Sequence, residues 1–538
     1  MCAAGLQSPA FYYTDTMIKQ LCTIAFAGCS LQLAAQRVNW QNLDLNKDSV
    51  FGASTEKAYR ELLQNRQAAP VLVAVIDGGS DTAHEDLKDI LWTNTREIPG
   101  NGIDDDHNGY ADDIHGWDFI GSAKGDVNQD NTELVRLLRL LQPRFSHLTS
   151  AGGKSTDTTG YSEYLRLQNE YNQKLQEATM ALRNTQRFGD IIDAIVKRIG
   201  IDAPAVADFN AYKPANGIEK KVVEIIVQQM QDGKSYAAIR KDDIGGTIDH
   251  FKQELDYHLN LSFDPRDMVG DDYNNARERY YGNPDVTGPS ADHGTHVAGI
   301  IAASRTNNKG IMGVCNAAKV MVVRVVPDGD ERDKDVANGI RYAVDNGAKV
   351  INMSFGKSYS PGKSVIDEAV KYAMKKDVLL VHAAGNDASN NDSVTNFPNR
   401  VYADGSGVAA AWIEVGASGI KDDEHLAANF SNYGARSVDV FAPGVDIYST
   451  TPGSQYGTHS GTSMAAPVVT GIAATIRAYY PKLTAVQVKD IIMRSAVKIT
   501  HPVSIKINGA EKQVPFSALC LSGGIVNTYA ALQLAATE

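Results

Sequence analysis

The stretch Gly461-Thr462-Ser463-Met464-Ala465-Ala466-Pro467 sets a serine among small residues. An apolar, helix-compatible run follows it through Ile472 and Ile476 to Tyr480. Small neighbours let a backbone or a substrate approach the hydroxyl closely. A helix start also carries partial positive charge, which favours negative charge developing nearby. Pro467 is read as part of a first helical turn, where a missing N–H is tolerated. Taken alone, the same stretch describes an N-capping serine before an ordinary buried helix. A serine nucleophile further needs a base, a group that orients the base, and a donor for the oxyanion.

Three other stretches offer those groups. Asp292-His293-Gly294-Thr295-His296-Val297-Ala298-Gly299 places His293 at a helix start. A neutral imidazole can take a proton from a hydroxyl near neutral pH. The other readings of His293 are a structural histidine, or half of a metal-binding pair with His296. Asp77 closes the apolar run Val71-Leu72-Val73-Ala74-Val75-Ile76. Open α/β sheets place their sites at such strand ends, and a buried carboxylate there can fix an imidazole tautomer. Asp77-Gly78 also reads as a simple turn pair. In Val381-His382-Ala383-Ala384-Gly385-Asn386-Asp387 a strand pattern leads to Asn386, whose amide can donate to an oxyanion.

The elements that must position these groups follow from hydrophobic periodicity. Apolar β-branched runs predict strands at 71–76, 320–326, 349–353, 378–384, 412–416 and 438–441. Helices are expected at 54–64, 293–303, 335–346, 365–376 and after Ser463. This alternation predicts an α/β fold of three layers, with a mostly parallel sheet flanked by helices. Residues 121–270 differ, being rich in Gln, Glu, Lys and Leu at helical spacing. Tyr164, Leu167, Tyr171, Leu175, Ala178 and Leu182 mark one amphipathic helix. Others are expected near 134–141, 191–199, 218–230 and 248–259. The chain divides into 1–35, 36–120, a helical insertion at 121–270, and 271–538.

Between 98 and 119 the chain is acidic. Asp104, Asp106 and Asn108, followed by Gly109, match the first half of an EF-hand-like loop. Hard oxygen ligands at alternate positions suit Ca²⁺. The closing Glu is replaced by His115, so Tyr110, Asp112 and Asp113 are the remaining candidate ligands. The plain alternative is a solvated acidic loop.

Composition is that of a globular protein, with 43% hydrophobic and 22% charged residues. A net charge of −12 disfavours nucleic acid as a partner. No run reaches the roughly 18 apolar residues of a membrane span. Met17-Ile18-Lys19, an apolar run from Leu21 to Leu33 and the small residues Ala34-Ala35 have the form of a secretory signal peptide. Residues 1–16 are read as lying upstream of the true start. Phe26-Ala27-Gly28-Cys29 is a rival lipoprotein signal, with Cys29 the lipidated residue. Either reading implies export. Cys315 and Cys520 remain after cleavage and are expected as buried free thiols, with one disulfide between them as the alternative.

Together, Val75-Ile76-Asp77-Gly78-Gly79, His293-Gly294-Thr295-His296-Val297-Ala298-Gly299, Ala384-Gly385-Asn386 and Gly461-Thr462-Ser463-Met464-Ala465-Ala466-Pro467 resemble the signature motifs of subtilisin-like serine proteases (peptidase S8), in that family's order. Ile351-Asn352-Met353-Ser354-Phe355-Gly356 and Ala428-Asn429-Phe430-Ser431-Asn432-Tyr433-Gly434 extend the likeness. The resemblance implies a serine endopeptidase acting on proteins or peptides, without a catalytic cofactor. It assigns Asp77 to orient the base, His293 as general base then acid, Ser463 as nucleophile and Asn386 as oxyanion donor. It also implies that Ser354, Phe355 and Gly356 pair with an extended peptide, while Ala383, Ala384 and Gly385 wall the pocket for the residue before the cleaved bond. Asp86 matches a family calcium ligand, but the facing loop Asn307-Asn308-Lys309-Gly310 carries a lysine. Gly78 stands where the family usually has Ser or Thr. No stretch before Val71 is long enough for the usual folding pro-domain, so the insertion is expected to serve folding or to restrict access. The alternative function is a catalytically silent binding protein on the same fold.

Overall fold

The computed structural model describes residues 38–151, 156–507 and 509–538. The signal-like segment and Cys29 lie outside the described residues. The chain forms two compact units, one covering 135–263 and the other 38–134 with 264–538.

The larger unit is built around strand β1 (Val71–Asp77). Val71, Val73 and Val75 pack into one core, while Ala74 and Ile76 pack into a second. Burial on both faces is why the run is apolar without interruption. The other strands of its sheet are β2 (Gly116–Asp118), β3 (Ala318–Arg324), β4 (Val350–Met353), β5 (Leu379–Ala383), β6 (Trp412–Ser418), β7 (Val440–Pro443), β8 (Val497–Lys498) and β9 (Gly524–Ile525). The nine strands run in the order β8-β9-β7-β6-β5-β4-β1-β3-β2. Every pairing is parallel except β8 with β9. Helices α1 (Asp292–Ala302) and α4 (Thr462–Tyr479) supply one face, and α2 (Asp333–Asp345) with α3 (Lys363–Lys375) the other. This is the expected three-layer α/β fold. Cys315 and Cys520 are buried free thiols. Among the described residues no helix is long and apolar enough to cross a membrane.

The smaller unit is helical, within the expected insertion. The helices expected near Tyr164 and Ile191 are one continuous helix, Thr158–Ile199. Gly189, the sole helix breaker between them, is buried in the packed helix and faces Ile244. Ile192, Ile195, Phe209, Val222, Ile226 and Ile239 form this unit's own core. The helix expected at 248–259 is instead Gly246–Gln253 followed by a π turn, Glu254–His258.

Candidate active site

The candidate groups arise where strands end and helices begin. β1 ends at Asp77, and Ser354 follows β4; the register Ile76↔Met353 makes these two residues neighbours, about 4.8 Å apart across the sheet. β5 leads through Ala384 and Gly385 to Asn386. α1 begins at Asp292-His293 and α4 at Thr462-Ser463, and the two helices pack together.

Asp77 is buried and His293 is half-buried. His293 Nδ1 lies 2.8 Å from Asp77 Oδ1 and 3.0 Å from Oδ2. A carboxylate only accepts, so Nδ1 carries the proton and Nε2 keeps a free lone pair. The Gly78 N–H donates to Asp77 Oδ1 at 2.7 Å and steadies the carboxylate. Burial pulls the imidazole pKa down, but the charge of Asp77 and its hydrogen bond outweigh that, holding it above the usual 6.5. His296, one turn on, is fully buried, and its Nε2 faces the carbonyls of Ile447 at 3.0 Å and Gly457 at 3.3 Å. That nitrogen must donate, so it tethers α1 to the hairpin Ile447–Thr451 and Gln455–His459 rather than offering a metal a lone pair.

Ser463 Oγ donates to the Ser354 carbonyl at 3.0 Å, and Ser354 Oγ donates back to the Ser463 carbonyl at 3.0 Å. Pro467 explains the second bond. Since α4 starts at Thr462, Pro467 sits in the second turn, not the first as the sequence pattern implied. The N–H it lacks is the one that would meet the Ser463 carbonyl. Ser354 supplies the missing donor. The Ser463 hydroxyl is thus turned to Ser354 rather than to His293; catalytic hydrogen bonds in unliganded sites are often poorly aligned and tighten only in the complex.

Asn386 Oδ1 accepts from Thr462 N at 2.9 Å and from Thr462 Oγ1 at 3.0 Å. The Thr462 N–H requires an acceptor, which assigns that amide atom as Oδ1 and the other as the donor Nδ2. Thr462 Oγ1 in turn accepts from Gly385 N at 3.1 Å. The first N–H groups of a helix have no intrahelical acceptor, which leaves Ser463 N available. A Cβ on Gly461 would stand 3.6 Å from both Asn386 Nδ2 and Ser463 N, so both donors border one space. Two fixed donors beside a hydroxyl can stabilise a developing oxyanion.

Ser354, Phe355 and Gly356 follow β4, and Ala383 ends the neighbouring β5, with Ala384 and Gly385 just beyond it. The Ala384 carbonyl accepts from the amides of Asn391 at 2.8 Å, Asn432 at 3.0 Å and Asn396 at 3.2 Å. Gly385 has φ +105°, and a Cβ there would lie 2.4 Å from Asn432 Nδ2; only glycine fits. Asn396 stands between these two segments: a Cβ on Gly356 would come within 2.7 Å of its Oδ1 and one on Gly385 within 3.6 Å of its Nδ2. Thr462, Asn396 and Asn391 hydrogen-bond to candidate site residues, and the sequence pattern singled out none of the three.

A sequence model of the subtilase family matches residues 69–515. The chain belongs to the subtilase family. It is 40% identical over 210 residues to a thermophilic serine proteinase of Bacillus sp. (strain AK1), covering 39% of this chain and 48% of that protein. It is 38% identical over 208 residues to subtilisin BL of Lederbergia lenta, covering 38% of this chain and 71% of the relative. A thermostable alkaline protease of Halalkalibacterium halodurans is 38% identical over 211 residues, covering 39% and 54%. The chain thus spans about half the length of several curated relatives it matches.

The acidic loop of this subtilase gathers carboxylates differently from the EF-hand-like pattern. Asp104 accepts from the backbone N–H groups of Asn108 and Gly109, and Asp112 from those of Gly100, Asn101 and Gly102. Asn108 donates to Asp113, and Tyr110 packs against Trp117 and Tyr342. Of the six expected ligands, Asp106 and Asp113 converge, joined by Glu97, with ligand oxygens within 4.8 Å of one another. Burial pushes Asp113 up to about 6, with the charge of Asp106 adding to it against hydrogen bonds from Tyr342, Asn94 and Asn108. Arg96 offsets Asp106 at 2.8 Å. Three crowded carboxylates, two of them buried, fit a hard divalent cation. At Asp86, the Asn307 amide donates at 2.7 Å, while Lys309 pairs with Glu85.

Proposed function

We propose that this subtilase is a serine endopeptidase working through Asp77, His293, Ser463 and Asn386. The observation that carries the reading is the His293 Nδ1 to Asp77 Oδ1 contact of 2.8 Å, which leaves the lone pair on Nε2 to act as a base. His293 Nε2 takes the Ser463 proton as Oγ attacks the scissile carbonyl. The oxyanion is received by Asn386 Nδ2 and the Ser463 N–H. The imidazolium, held by Asp77, then protonates the leaving amine, and water releases the acyl group by the reverse route. The substrate lies extended along Ser354, Phe355 and Gly356 as an added strand. Its residue before the cleaved bond enters between that wall and Ala383, Ala384 and Gly385.

The signal-like segment supports export of the protein, and the crowded set Glu97, Asp106 and Asp113 supports a structural calcium ion there. Calcium would neutralise the acidic loop and take no part in the chemistry. Casein cleavage by the wild type, abolished in Ser463→Ala, tests the function. Equal cleavage by both proteins would refute it, and cleavage by neither would leave the silent binding protein as the better reading.

A further inference from the structure

At the opposite edge of the sheet lies a cavity of about 110 Å³, bordered by Arg96, Arg279 and Arg341, with Tyr280, Tyr342 and Asp345 among its other walls. α2 follows β3 and runs back along the sheet, so its last turn, with Arg341 and Tyr342, reaches the amino edge. There Lys349 N bonds the Leu72 carbonyl, at the start of β1, at 2.8 Å. The catalytic candidates stand at the carboxyl edge, so this cavity is separate from them.

Its charges are incompletely matched. Arg341 is 8% exposed, yet the acceptors it meets are neutral: Asn338 Oδ1 at 3.2 Å and the Val365 carbonyl at 3.2 Å. The nearest carboxylate, Glu368, is 3.7 Å away on a side chain 78% exposed. Two of the five N–H donors of Arg341 are thereby used. Burial lowers its pKa, and the neighbouring Arg279 charge adds to the effect. Arg279 has no ion pair or side-chain hydrogen bond among the described residues. Arg96 is neutralised from behind by Asp106 at 2.8 Å. Asp345 is the opposing charge in the wall, and it accepts from Tyr372 OH at 2.5 Å. A buried guanidinium beside a second one is costly unless an anion completes the set. The three guanidiniums come from three separate segments, which suits oxygens pointing in several directions better than a flat carboxylate. The volume suits one such group, or several waters.

We propose that this cavity binds a tetrahedral oxyanion, a phosphate or a phosphate ester, on Arg279 and Arg341. Tyr280, exposed at the rim and tilted against Tyr110 at 5.6 Å, gives an ester's organic part a surface to rest on.

The test uses full-length protein carrying Ser463→Ala, which prevents self-digestion, with thermal midpoints followed against inorganic phosphate, phenyl phosphate and acetate at constant ionic strength. Saturable stabilisation by phosphate is expected, with half-saturation raised roughly tenfold or more by the exposed substitution Arg279→Gln. Tighter binding of phenyl phosphate than of inorganic phosphate identifies an ester as the preferred source; the reverse identifies the free ion. Arg341→Lys, which keeps the charge and loses the fork, should weaken binding without loss of the folded state. Equal stabilisation of the parent and Arg279→Gln, or acetate binding as tightly as phosphate, would overturn the proposal.

Discussion

Replacing Thr462 by valine isolates how Asn386, the proposed oxyanion donor, is aimed. The two side chains have nearly the same shape, so the change removes one hydroxyl. That hydroxyl donates to Asn386 Oδ1 at 3.0 Å and accepts from Gly385 N at 3.1 Å. Asn386 keeps its other tether, Thr462 N at 2.9 Å. Its amide is therefore loosened rather than lost. One hydrogen bond is worth about 0.5–1.5 kcal/mol net, which predicts a fall in kcat of roughly 2–13-fold. Deleting the donor itself with Asn386→Leu should cost roughly 10²–10³-fold, a magnitude known from subtilisin rather than worked out on this chain. The two losses share one cause, so they should not multiply. In an Asn386→Leu background, Thr462→Val should change kcat by less than about twofold. Gly385 N would lose its acceptor in either background, so both should still lose about 1 kcal/mol of stability. Steady-state kinetics on a chromogenic peptide anilide, with urea melts alongside, read both quantities. Kinetic effects that multiply would show that Thr462 acts on the reaction by some route other than Asn386.

Three further outcomes follow from the same geometry. The raised pKa of His293 means that its pairing with Asp77 contributes stability fully below the unfolded value, about 6.5, and loses that contribution as pH rises through the folded value. Urea melts in a Ser463→Ala background should therefore show Asp77→Asn costing more stability at pH 5 than at pH 9. An equal cost at both would contradict the pairing. Calcium should raise the thermal midpoint of the parent, and Glu97→Gln should blunt the rise, because Glu97 supplies one of the three converging carboxylates; an unchanged rise would place calcium elsewhere. Asn396→Gly removes the amide between the two walls and should shift kcat/KM toward a large apolar residue before the cleaved bond by roughly tenfold, read by profiling a peptide library.

The sequence made the principal groups legible because each sits at a boundary with its own pattern. Asp77 ends a continuous apolar strand, His293 and Ser463 open small-residue helices, and Asn386 follows another buried strand. What stayed hidden depends on distant partners. Thr462 matters through Asn386 and Gly385, about 76 positions earlier in the chain. Asn396 reaches the Ala384 carbonyl and lies beside Gly356, which no local spacing encodes. Glu97 precedes the acidic loop and joins Asp106 and Asp113 only when the loop folds back, whereas Asp104 and Asp112 are drawn to backbone N–H groups of the same loop. Pro467 misled in a small way. Helix-start statistics place proline in the first turn, while here a tertiary donor, Ser354, makes a second-turn proline tolerable. In the insertion, periodicity located the helices but not their fusion into Thr158–Ile199, because Gly189 packs inside the helix instead of ending it.

Ser463 is proposed as the nucleophile, made reactive by His293. The most direct test of that role is covalent labelling with phenylmethanesulfonyl fluoride, the adduct mapped by mass spectrometry and proteolysis measured on the same sample. One adduct per chain, on Ser463, is predicted, with casein cleavage lost in proportion to labelling and labelling suppressed in His293→Ala. Casein cleavage that persists after stoichiometric labelling of Ser463, or labelling that His293→Ala leaves unchanged, would contradict it.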